Sequence, residues 1–114
     1  MNINSKITKK TLKTIEKITG GKLTLGKLVW AIRECEEMTQ VELAEKLGCS
    51  KQHLCDVEHD RKNVSPRMAA NYAKILGYPQ KQFIRLALQS IVDRDGLREV
   101  VELQTRSRYA YSCA

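Results

Sequence analysis

The chain has only two prolines in 114 residues, and none of its apolar runs approaches the ~20 residues that span a bilayer. With 42% hydrophobic and 29% charged residues, this composition describes an ordered soluble domain with polar ends. The opening stretch MNINSKITKKTLKTIEKITGG lacks a continuous apolar core and a small-residue cleavage site, so it reads as mature protein in the cytoplasm. The length leaves room for one domain and a short extension, which excludes a large enzyme cleft or a second independent fold. Acidic side chains are scarce at the start: residues 1–27 carry seven lysines against Glu16 alone, whereas residues 28–50 are net negative within a total charge of +7. A polyanion partner accounts for that asymmetry, and a solvated basic tail accounts for it too. The four cysteines, at 35, 49, 55 and 113, show no framework spacing and read as free thiols in or near a core.

Periodicity then organises the chain. Ile7, Leu12, Ile15 and Ile18 mark a lysine-rich amphipathic helix over 7–19, stopped by Gly20-Gly21. Leu25, Leu28, Val29, Ile32 and Cys35 make one face of a second helix. Thr39 caps the next, with Glu42 completing a capping box and Val41, Leu43, Ala44 and Leu47 on its apolar side. Gly48 ends it in the left-handed conformation, and Ser50 caps a further helix that points Leu54 and Val57 inward. Ser65-Pro66 starts another, with Met68, Ala69, Tyr72, Ala73 and Leu76 facing the core. A last helix from Pro79 carries Phe83, Ile84, Ala87, Leu88, Ile91 and Val92 and ends at Asp95-Gly96. The expected fold is all-α, a compact five-helix domain over 23–95, preceded by a basic arm and helix in 1–22 and followed by an extension in 96–114. Within that extension LREVVEL partly alternates, which predicts a short strand over 97–103 whose mate comes from a second copy in a dimer or from a partner's sheet edge.

Two helices separated only by Gly48, Cys49 and Ser50 form a helix-turn-helix, with the second helix able to lie in a major groove. Ala44 is small enough to let the two cross closely. Lys51, Gln52, Cys55, Asp56 and His59 are left unclaimed by the core. The run from Leu25 to Leu76, through Ile32-Arg33, Thr39-Gln40, Leu43-Ala44, Leu47-Gly48, Ser50, Leu54, Val57-Glu58, Ser65-Pro66, Ala73 and Leu76-Gly77, resembles the lambda-repressor-like helix-turn-helix domain. That Cro/C1-type domain, of the XRE family, occurs in phage repressors, bacterial transcriptional regulators and antitoxins. The resemblance implies sequence-specific binding of double-stranded DNA by a homodimer, with no enzyme activity and no cofactor. By the same resemblance Lys51, Gln52 and Asp56 would face base edges, Gln52 reading adenine, while Gln40, Ser50, Arg61, Lys62 and Asn63 would meet phosphates. Lys6, Lys9, Lys10 and Lys13 would add phosphate contacts if the arm reaches the duplex. Arg33 and Glu58, which could pass for a catalytic pair, would form a partly buried structural salt bridge.

The helix over 51–59 departs from the family in carrying His53, Cys55 and His59 with the acids Asp56 and Glu58, and with Asp60 just after it residues 51–62 sum to zero charge. Weak non-specific affinity is the expected consequence. Cys49 with His53, and Cys55 with His59, are spaced four apart but do not converge on one tetrahedral zinc site. Cys55 with His59 lacks the third residue and the pocket that a nucleophile needs, and Gly20-Gly21-Lys22 is too short for a phosphate loop. Two alternatives stay open. One is an antitoxin that also neutralises a cognate toxin, a small ribonuclease, through the N-terminal helix or the tail of Val100 to Tyr111. The other is a helical protein-interaction module without DNA binding.

Overall fold

The computed structural model describes residues 22–106. The expected helix over 7–19, the basic arm and the tyrosines of the tail lie outside those residues. Five helices follow in order: α1 (Leu25–Cys35), α2 (Gln40–Leu47), α3 (Lys51–Glu58), α4 (Pro66–Leu76) and α5 (Gln80–Arg94). No helix among the described residues is long and apolar enough to cross a membrane.

Four of the five starts are set by a side chain that satisfies an otherwise unbonded backbone N–H, α5 following Pro79 without one. Thr24 accepts from Lys27 N, Thr39 from Glu42 N, Ser50 from His53 N and Ser65 from Met68 N. The box at Thr39 closes differently from the usual pattern: Glu42 Oε1 accepts from the Thr39 hydroxyl at 3.2 Å. α2 and α4 stop at Gly48 and Gly77, with φ of 75° and 78°, a conformation open to glycine without strain.

Leu28, Val29, Ile32, Leu43, Leu54, Leu76 and Phe83 form the centre of one core to which all five helices contribute. α4 packs most extensively on α5, while α3 sits against α1 and α2. Several expected faces are turned. Met68 is 38% exposed and Val41 48%, because each lies at the solvent rim of a short helix whose core stripe runs through its neighbours. Ile91 is exposed as well, and α5 buries Phe83, Leu86 and Ala87, with Gln89 beneath the chain that returns over it. Cys35 is exposed, and only Cys49 of the described cysteines packs against the core.

Residues 97–106 form no strand within this single chain. A strand is defined by its ladder, and no other strand exists among the described residues to provide one. α5 ends in a left-handed Gly96, with Leu97 N donating to Val92 O at 3.3 Å, and the chain then doubles back along the helix.

Candidate nucleic-acid interface

The turn between α2 and α3 is closed by backbone bonds from Gly48 N to Glu45 O and from Cys49 N to Ala44 O, 3.2 and 3.0 Å long. Leu43, Ala44 and Leu47 on one side and Leu54 and Val57 on the other are buried at the junction. That burial fixes how α3 presents its remaining face: Lys51 and Gln52, at its N-terminal end, are exposed. Ser50, also exposed, accepts the cap bond at its hydroxyl oxygen and keeps its O–H as a donor.

The other end of α3 is locked by ions. Arg33 Nε donates to Glu58 Oε2 at 2.8 Å and Nη2 to Oε1 at 3.2 Å, while Nη1 reaches the carbonyl of Met38 at 3.0 Å. Gln40 Nε2 completes the set with a 3.0 Å bond to Glu58 Oε1. The Glu58 side chain is only 2% exposed and that of Arg33 13%, and the hydrogen bond to Glu58 pushes the guanidinium pKa up. Three elements thus meet on one carboxylate. The structure brings Arg33 and Glu58 together, and it commits one amide donor of Gln40 to that pair. The carbonyl and second N–H of Gln40 remain for another partner.

A second acidic centre lies on the outer face. Asp56 Oδ1 accepts from Arg61 Nε at 2.9 Å and from Gln52 Nε2 at 3.2 Å, and Lys62 Nζ stands 3.9 Å from Oδ2. The Arg61 hydrogen bond holds the Asp56 carboxyl below its usual range, helped by Gln52 and by the two positive charges. Three of the residues expected to touch DNA, Gln52, Arg61 and Lys62, are therefore gathered around the carboxylate of a fourth, Asp56. Asn63 is exposed beside them.

The loop carrying Arg61 is anchored by features the sequence reading passed over. Asp60 adopts a left-handed φ of 58°, its Oδ2 accepts from the Thr24 hydroxyl at 2.9 Å, and its carbonyl accepts from Arg94. Gly26 faces the carbonyl oxygens of Val57 and Glu58, leaving no space for a side chain. The one signal in the sequence was a glycine, Gly26, in the first turn of a helix, two residues after the capping Thr24. His53 turns inward, with Nε2 3.3 Å from the Tyr72 hydroxyl, while His59 Nδ1 lies 3.6 Å from Cys55 Sγ. Burial pushes the Cys49 thiol up, so it stays protonated at neutral pH.

A short turn, a buried support and an exposed N-terminal half of the second helix define a helix-turn-helix unit, and the sequence comparisons agree. Residues 31–79 match the family described as Helix-turn-helix. The chain is also similar to an immunity repressor protein of Bacillus phage phi105, 42% identical over 55 residues. The match takes in 48% of this chain and 38% of the phage protein, so the chain spans well under half of that relative's length. No solved structure matches significantly.

Proposed function

We propose that this chain is a sequence-specific double-stranded DNA-binding regulator, a repressor, that reads the major groove with α3 as a homodimer. The observation that carries the reading is the exposure of Lys51 and Gln52 on a helix whose inner face and C-terminal end are held immobile. Preorganised side chains at the N-terminal end of such a helix are what base readout requires. In this reading Gln52 exchanges its bond to Asp56 for an adenine edge. Arg61, Lys62 and Asn63 take phosphates on one flank, with Ser50 and the free groups of Gln40 on the other. The phage relative is an immunity repressor protein, which favours repression over the antitoxin reading.

Selection of bound duplexes from a random library at roughly physiological salt tests this. The expected product is a palindrome with half-sites one helical turn apart. Gln52→Ala should then lose about 1–3 kcal/mol of discrimination at one base position per half-site. Equal weakening on every sequence would show that Gln52 reads no base. A well-folded protein that enriches nothing, yet forms a stable one-to-one complex with the product of an adjacent gene, would replace the repressor by the antitoxin.

A further inference from the structure

The segment LREVVEL after α5 plays no part in the interface described above, yet it is held in a defined way. Gln89, 3% exposed on α5, donates from Nε2 to the carbonyl of Glu99 at 2.9 Å and accepts at Oε1 from Val101 N at 2.7 Å. One carboxamide thus binds the backbone of two alternate residues as a neighbouring strand would. In extended chain the N–H and C=O groups of successive residues point to opposite edges. Residues 99 and 101 therefore face the domain, and Arg98, Val100 and Glu102 direct their backbone groups away from it. Among the described residues those groups make no hydrogen bond. From Val100 onward burial alternates as well: Val101 and Leu103 are half-buried, whereas Val100, at 71%, and Glu102 are exposed, and Leu97, Arg98 and Glu99 before them are all exposed.

We propose that this outer edge pairs with the same edge of a second copy of the chain, antiparallel, with Val100 opposite its own counterpart. The proposal rests on the homodimeric reading above and names the surface that makes the dimer. The choice of occupant comes from the sequence, which is self-complementary about Val100. In this register Arg98 of each copy faces Glu102 of the other, Leu97 faces Leu103, and the two Val100 side chains cover each other between two opposite-charge pairs. Every residue on the outward edge meets another outward residue, so the backbone groups can bond reciprocally. A register displaced by two residues one way sets Glu99 against Glu99. Displaced the other way, it sets Arg98 against Gln104 and gives up both opposite-charge pairs.

The test compares four full-length proteins by sedimentation equilibrium: the wild type, Arg98→Glu, Glu102→Arg and the double variant. Arg98 and Glu102 are exposed, and circular dichroism checks that the helices persist. The wild type is expected to dimerise, each single variant to raise the dimer Kd at least about tenfold by facing like charges twice, and the double variant to return near wild type. A wild type that stays monomeric at its highest soluble concentration overturns the proposal, as does a dimer indifferent to all substitutions. Failure of the double variant to recover overturns the register. The duplex selection above, run on the same proteins, separates the two readings: an indifferent dimer that still enriches a palindrome leaves the DNA-binding function standing and moves the dimer contact elsewhere.

Discussion

A methyl group placed at Gly26 would collide with the carbonyl oxygen of Val57 and lie 3.1 Å from that of Glu58. Both are backbone atoms and cannot swing aside as the end of a side chain can. Gly26→Ala is therefore expected to destabilise the domain by about 1–3 kcal/mol, read as a lowered denaturant midpoint, although alanine is the better helix former. Arg33 is the other residue with a large expected effect. Arg33→Met would strand the nearly buried carboxylate of Glu58 and cost about 3–5 kcal/mol, and chemical denaturation measures it directly. Tyr72 and Tyr78 add a pH dependence at the alkaline end. Burial comes first among the causes that push each up to about 12 from an ordinary 10.0. Their stabilising effect is complete below pH 10, where neither state is ionised. Above it the unfolded chain loses phenolic protons that the folded chain keeps, so stability falls as pH rises toward about 12. A denaturation series over that window, with Tyr78→Phe as the control, should show a shallower fall in the variant.

At the scale of elements, α3 and its following loop hold their own charges in check. Asp56 gathers Gln52, Arg61 and Lys62, three groups that the DNA reading needs elsewhere. Asp56→Asn would release both cations while leaving Gln52 an oxygen to bond. The expected result is tighter binding to random duplex and a slope of log K on log salt that steepens by about 1–2, measured by fluorescence anisotropy. An unchanged slope would mean that Arg61 and Lys62 never reach phosphate. The helices themselves were legible in the sequence at their ends, because Thr39, Ser50, Ser65, Gly48 and Gly77 act within one turn of where they stand. Their faces were less so. Which side of α5 is covered depends on Gln89 meeting a segment ten residues further on, and the exposure of Met68 and Val41 depends on where neighbouring helices stop. The gathering of residues 52, 61 and 62 on Asp56 was hidden for the same reason: spacing shows that they are near, and only the fold shows which carboxylate they share.

For the molecule as a whole, the buried support is kept apart from the exposed positions that the proposed function assigns to base reading. Glu58, Leu54 and Val57 tie α3 to α1 and α2, while Lys51 and Gln52 face solvent from the same short helix. Exposed positions away from such networks tolerate substitution within about 0.5 kcal/mol, whereas those in the Arg33–Glu58–Gln40 set do not. Exchanges at 51 and 52 can therefore accumulate one at a time without passing through an unfolded ancestor. Under the proposed function, gene copies descended from this chain would part company in what they recognise while sharing one unaltered interior.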